Sequence, residues 1–237
     1  MEHSTSFSQQ DSGDIDSGDT TDFKTSVMHF LKNCQTNFQD TFNIKIISDK
    51  MGFKQRRFLD VLSVFDTIGC APKIDNDNFL WLGLDQVKPA ILQICRERGV
   101  FKRNTTLSQN IPITSFISLT EMTEDLLVCF IAMERKFLNI LHVTTFLSRW
   151  NDRHKTIKCK LYQACAILEV AGVIHKTVNR SEFRIDEKYF ISASEKMAEN
   201  DSIMSINSLL NRTTPFMSEN TITNRRKEFD DAVSEPT

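Results

Sequence analysis

Lys54-Gln55-Arg56-Arg57-Phe58-Leu59-Asp60-Val61-Leu62-Ser63-Val64-Phe65 repeats its apolar residues every three to four positions. Phe58, Val61, Leu62, Phe65 and, beyond the stretch, Ile68 form one stripe. That is the spacing of a helix buried on one face. Arg56, Asp60 and Ser63 project from the other face, at i, i+4 and i+7. Gly69 closes the helix, because glycine accepts the left-handed conformation in which helices end. The product is a helix with two arginines at its exposed start and an apolar back.

The flanking sequence supplies the rest of a small unit. Phe23, Val27, Phe30, Leu31, Cys34 and Phe38 recur at helical spacing behind Asp22, a candidate N-cap. A shorter helix runs from Ile44 to Met51 and stops at Gly52. After Gly69, the run Lys73-Ile74-Asp75-Asn76-Asp77-Asn78-Phe79-Leu80-Trp81 reads as strand, Asp/Asn turn, strand. The same order returns later. Residues 121–136 carry Met122, Leu126, Leu127 and Phe130 at helical spacing, and a second helix spans Ile140 to Trp150. A third, at 156–171, buries Ile157, Leu161, Ala164, Cys165 and Leu168 and ends at Gly172. Residues 173–178 and 182–186 follow as a hairpin. Trp81 and Trp150 both read as core.

The chain is therefore expected to be mainly α with small β-hairpins, an α+β fold of two tandem winged-helix domains with disordered acidic tails. The boundaries are an N-terminal tail over 1–21, a first domain over 22–83, a basic linker over 84–119, a second domain over 120–192 and a C-terminal tail over 193–237. Within the last tail only a short helix near Ile203 to Leu210 is foreseen. Net charge follows this division: −5, +1, +3, +2 and −3 in order, giving −2 for 237 residues. A mildly basic body with acidic ends suits a weakly basic binding protein, and equally a merely solvated one.

Composition excludes several classes. The longest apolar run, Leu126 to Met133, is far short of the roughly 20 residues a membrane helix needs. The acidic N-terminus does not read as a secretory signal. Six cysteines without a C-x-x-C pair read as small buried hydrophobes of a reducing compartment. No Walker A, G-x-G-x-x-G or G-x-S-x-G motif is present, and the five histidines do not pair with cysteines or carboxylates at zinc spacing. The expectation is a non-enzyme without cofactor or metal, soluble and inside the cell.

Three helices and a hairpin, twice, is the order in which a third helix enters the DNA major groove while the hairpin touches backbone nearby. Arg56 and Arg57 resemble the Arg-Arg-x-Tyr-Asp-x-x-Asn-Val-Leu signature of the E2F/DP family of winged-helix transcription factors. Asp60, Val64, Gly69, Trp81 and Gly83 stand at matching positions, while Leu59 replaces the Tyr and Ser63 the Asn. The second segment has Cys159-Lys160-Leu161-Tyr162-Gln163 at the same place, keeping Tyr162 but neither arginine. Two such units in one chain are similar to the atypical branch, in which they mimic a dimer. The resemblance covers about 22–83 and 120–190. It implies nuclear localisation, double-stranded DNA with a GC core as partner, and transcriptional repression in cell-cycle control. It also leaves room for transcription or chromatin proteins, a homodimer or an E2F/DP-type partner.

On this reading Arg56 and Arg57 contact bases, matching the guanidinium fork to guanine edges. Lys54, Asp60, Lys158, Lys160, Tyr162, Lys176 and Arg180 contact the DNA backbone or orient those that do. Asp60, at i+4, would hold the Arg56 guanidinium. Arg149, Arg153, His154 and Lys155 extend the basic cluster of the second unit, and its hairpin is the more basic of the two. Asp75 and Asp77 make the first hairpin acidic. Arg96, Arg98, Lys102 and Arg103 in the linker, and Arg225-Arg226-Lys227 near the C-terminus, are short basic clusters of the nuclear-import kind. Asp11 to Ser17 resembles a phosphodegron. The competing reading is a protein-interaction adaptor built on winged helices that no longer read DNA.

Overall fold

The computed structural model describes residues 17–36, 40–112, 116–150, 152–192 and 217–234. The first repeat comprises α1 (Ser17–Thr36), β1 (Thr41–Asn43), α2 (Ile44–Lys50), α3 (Gln55–Thr67) and β2 (Asn78–Leu80). A 3-10 turn (Leu84–Gln86), α4 (Val87–Glu97) and α5 (Leu107–Asn110) lead into the second. That repeat comprises α6 (Leu119–Ala132), β3 (Phe137–Asn139), α7 (Ile140–Ser148), α8 (His154–Val170), β4 (Ile174–Lys176) and β5 (Glu182–Ile185). A last helix, α9 (Glu219–Ser234), closes the described chain. The architecture is mainly helical with small antiparallel sheets, as the sequence predicts. Among the described residues no helix is long and apolar enough to cross a membrane.

Several bonds recur at equivalent places in the two repeats. Asn43 and Asn139 cap α2 and α7, each accepting from the backbone N–H two residues on. β1 pairs antiparallel with β2, Phe42 opposite Phe79, and β3 with β5, Leu138 opposite Phe183. Ile44 N donates to Asp77 O at 2.7 Å and Ile140 N to Ser181 O at 2.8 Å. In the second sheet the order is β3-β5-β4; in the first, Lys73 bridges to Phe79 where β4 would lie. α3 and α8 end alike. Gly69 (φ 75°) and Gly172 (φ 71°) turn left-handed, and the next N–H returns to the carbonyl of Phe65 or Leu168. A side chain at Gly69 would also crowd Ala90 Cβ, 3.1 Å from where its own Cβ would stand.

The apolar stripes bury as their spacing requires. Phe58, Val61, Leu62, Phe65 and Ile68 are fully buried around Phe30, Phe79 and Trp81, with rings meeting edge-on and tilted. Five cysteines are buried and free; Cys159 is free and exposed. Trp81 is core, but Trp150 is 68% exposed, lying beyond the end of α7 at Ser148.

Three expectations about boundaries are corrected. α1 begins at Ser17, inside the tail expected to reach 21. The segment 84–119 is not an open linker: Val87, Ile91, Ile94 and Cys95 bury one side of α4 against α6, and Leu107 and Ile111 are buried beside it. The C-terminal segment contains a docked helix, α9, which packs on α7 and α5. The expected disorder of 1–16 and 193–216, the short helix near Ile203 and residues 11–16 of the Asp11 to Ser17 motif lie outside the described residues.

α9 also overturns the import-signal reading of its basic triplet. Arg225 is fully buried, donating to the carbonyls of Thr105, Ala132 and Val100 and to Thr105 Oγ1 at 2.6–3.1 Å. Arg226 donates to Met133 O and Glu134 O. These carbonyls end α6 and the turn after α4, where a cation meets the negative end of the helix dipole. Arg98 likewise turns inward, 2.6 Å from Glu124 and 3.6 Å from Asp125.

Asp125 is 5% exposed and its Oδ1 has no hydrogen-bond partner. Burial pushes its carboxyl up to about 7, with Arg98 and Arg149 opposing the rise and Glu124 and Glu121 adding to it. A carboxyl raised above its unfolded value near 3.9 supports the fold when protonated. That support is complete below about pH 4 and is lost as pH rises through 7. Asp125→Asn is therefore expected to raise the denaturation midpoint at pH 8 by more than at pH 5. An equal effect at both would show that this carboxyl does not titrate between them.

Candidate nucleic-acid interface

The third helices of the two repeats touch each other at equivalent positions. Gln163 Nε2 donates to Asp60 Oδ2 at 2.7 Å, and the two residues are 103 apart, the same separation as Gly69 and Gly172. Lys160 Nζ lies 3.8 Å from Asp60 Oδ1. Around this contact the packing is reciprocal: α1 of the first repeat lies on α8 of the second, and α6 of the second on α3 of the first. Lys24 and Glu169 pair at 2.6 Å on the α1–α8 side. Like residues meeting like residues is the pattern of a two-fold interface, here within one chain.

Asp60 therefore does not hold Arg56, as its i+4 position suggests. Its carboxylate faces the other repeat instead. Arg56 and Arg57 lie in the first turn of α3, one turn before Asp60, and are exposed, as is Lys54 at the N-cap. On α8 the first turns expose Arg153, His154, Lys155, Lys158 and Cys159, while Lys160 is half-buried toward Asp60. By the 103-residue offset Cys159 stands where α3 has Arg56, and Lys160 where it has Arg57.

The N-termini of these two helices, like that of α4, lack the side-chain caps that the other helices from α2 to α7 carry. α2, α5, α6 and α7 are capped by the side chains of Asn43, Thr106, Ser118 and Asn139. α3 and α8 have no side-chain cap and no acidic residue in the first turn. The dipole there is positive, no side chain of the cap residue neutralises it, and the surrounding side chains are basic. Such an end accepts a phosphate oxygen readily.

The remaining expected site residues divide. Lys176 and Arg180 are exposed on the second hairpin. Tyr162 is not available to a phosphate: its hydroxyl donates to Ser181 Oγ at 2.6 Å and ties α8 to the hairpin turn, leaving it an orienting part. Arg149 leaves the basic cluster, its guanidinium lying 3.7 Å from the Phe146 ring centroid and donating to Ser108 Oγ. In the first hairpin Asp75 accepts from the backbone N–H groups of Asp77 and Asn78 and from Asn78 Nδ2, which hold its carboxyl below the usual range. Its acidity closes the turn. Gln163 was not singled out as a contact between repeats; only aligning the two third helices on their closing glycines pairs it with Asp60.

The chain matches no family model, no curated protein and no solved structure.

Proposed function

We propose that the chain is a non-catalytic, sequence-specific double-stranded DNA-binding protein of the nucleus. On this reading its repeats are tandem winged-helix domains of E2F/DP-like type, acting as a transcription regulator, most simply a repressor, at GC-cored sites. The observation that carries the reading is the pairing of α3 and α8 through Asp60 and Gln163, with the two uncapped, acid-free, basic helix starts beside it. Arg56 and Arg57 read guanine edges. Lys54, Lys158 and Lys176 address phosphates, which add affinity without sequence information. Lys160 and Asp60 hold the two helices in register. The reciprocal packing makes the chain its own dimer, so it needs no second subunit to present two helices.

Fluorescence anisotropy of the full chain tests this on a GC-cored duplex and a scrambled one at two salt concentrations. The expected result is tight, salt-sensitive binding that prefers the GC core. Arg56→Ala/Arg57→Ala should reduce that discrimination by about 1–3 kcal/mol for each bidentate arginine–guanine pair it abolishes. Weak binding to both duplexes, unmoved by the substitutions, would overturn the reading. It would favour the adaptor, for which exposed Trp150, Phe137 and Leu141 and the acidic first hairpin speak.

A further inference from the structure

We propose that Thr106 is an acceptor for a protein kinase, and that a phosphate there releases α9 from the rest of the chain. The release goes beyond the DNA-binding reading and holds whether or not the chain binds DNA.

Residues 104–108 are the strap to which α9 is tied. Asn104 N donates to Thr221 Oγ1 at 3.4 Å. Thr105 O and Thr105 Oγ1 accept from Arg225 at 2.9 and 2.6 Å. Leu107 N and Ser108 N donate to the two carboxylate oxygens of Glu228 at 2.7 and 3.0 Å, and the Ser108 hydroxyl donates to the same carboxylate. Thr106 lies between these ties. Its own hydroxyl caps α5, accepting from Gln109 N at 3.1 Å.

Thr106 is also the hydroxyl of the strap that an enzyme can reach. Lys102, Arg103, Asn104 and Thr106 are exposed, whereas Thr105 and Ser108 are half-buried. Lys102 and Arg103 stand four and three residues before the acceptor. Basic side chains so placed suit a kinase whose substrate groove is acidic, since such enzymes choose substrates by charge pattern. In the transfer the γ-phosphorus of ATP bonds to Thr106 Oγ1 and its bond to the β–γ bridging oxygen breaks. ADP leaves, and the hydroxyl proton passes to the base of the kinase.

The product is a charge of about −1.5 to −2 at pH 7, held where a carboxylate already sits. Its oxygens compete with Glu228 for Leu107 N and Ser108 N and repel the Glu228 carboxylate, which is half-buried and poorly screened by water. The nearby cations do not offset this. Arg225 is committed to Val100 O, Thr105 and Ala132 O, and Arg149 to Ser108 Oγ and Phe146 O. Lys102 and Arg103 stay in solvent, where an ion pair gains little. Once Glu228 leaves, Arg225 and Phe229 lose the neighbour that holds their helix on α5, and α9 comes away from Phe146.

The full chain is incubated with ATP and a serine/threonine kinase selective for basic residues ahead of its acceptor. Mass spectrometry then places the phosphate, and brief proteolysis reads the docking of α9. The expected result is a phosphate on Thr106, absent from Thr106→Asn, with cleavage inside α9 about tenfold faster than in the untreated chain. A charge cycle checks the cause without the kinase. Asp and Asn cap a helix about equally well. Thr106→Asp is therefore expected to speed cleavage about tenfold over Thr106→Asn, and far less in a Glu228→Gln background, where the repelled charge is gone. No phosphate on Thr106, with Thr105 or Ser108 modified or not, overturns the site. Equal cleavage of Thr106→Asp and Thr106→Asn, or an Asp effect that Glu228→Gln leaves unchanged, overturns the release.

Discussion

Arg225→Ala is expected to melt far below the wild type and to release the C-terminal helix to protease. The guanidinium is fully buried and fills the carbonyls of Val100, Thr105 and Ala132. Burial pulls its pKa down to about 10, so it remains charged at neutral pH. Truncation takes the donor from two buried carbonyls, Val100 O and Ala132 O, and from the partly buried Thr105 O, at about 1–3 kcal/mol each, less whatever water recovers. A loss on the order of 3–5 kcal/mol is a large share of the stability of an ordinary domain. Neighbouring bonds fail with it. Glu228 accepts from Leu107 N, Ser108 N and the Ser108 hydroxyl at the start of α5, and the Phe229 ring packs tilted against Phe146, 5.3 Å between centroids. Arg225→Lys recovers little, since one ammonium cannot reach carbonyls that a planar fork spans. Thermal unfolding with limited proteolysis reads the result. A variant that melts with the wild type and keeps 217–234 protected would show that Arg225 does not anchor α9.

This helix shows why part of the fold was hidden in the sequence. Its buried line is Ile222, Arg225 and Phe229, a helical stripe with a charge at its centre. Because the central residue is an arginine, the pattern reads as a basic cluster. α4 was masked in a related way: Val87, Ile91, Ile94 and Cys95 have helical spacing, but the lysine and arginines among them made the segment look like a linker. Strands β1 and β3 are three residues each, too short to show alternation. The stripe from Phe58 to Ile68 was legible because five large apolar residues carry it without a charge among them. At the candidate site, the exposure of Arg56 and Arg57 follows from helical geometry alone. The turn of Asp60 toward Gln163 does not, since it depends on how one repeat lies on the other.

Phe30→Ala should destabilise both repeats although Phe30 belongs to the first. Its ring is fully buried, 5.3 Å from Phe58, 5.8 Å from Phe65 and Trp81 and 6.0 Å from Phe79, measured between centroids. Removing a phenyl group from such a site costs about 3–5 kcal/mol. α6 carries the loss across. It is buried on nearly every side and packs on α3 and α4 as well as on its own α8, while α1 reaches over to α8. The two repeats thus share one apolar core, and neither can open without exposing the other's helices. A single cooperative transition is expected, shifted to lower denaturant without a change of slope. Amide exchange should quicken in α8 and β5 by the same free energy as in α3. If α8 and β5 instead keep wild-type protection while α1 and α3 lose theirs, the repeats unfold separately. The α3–α8 contact would then be a docking that DNA can rearrange, and the fixed spacing of the two helix starts, on which the DNA-binding reading depends, would fall with it.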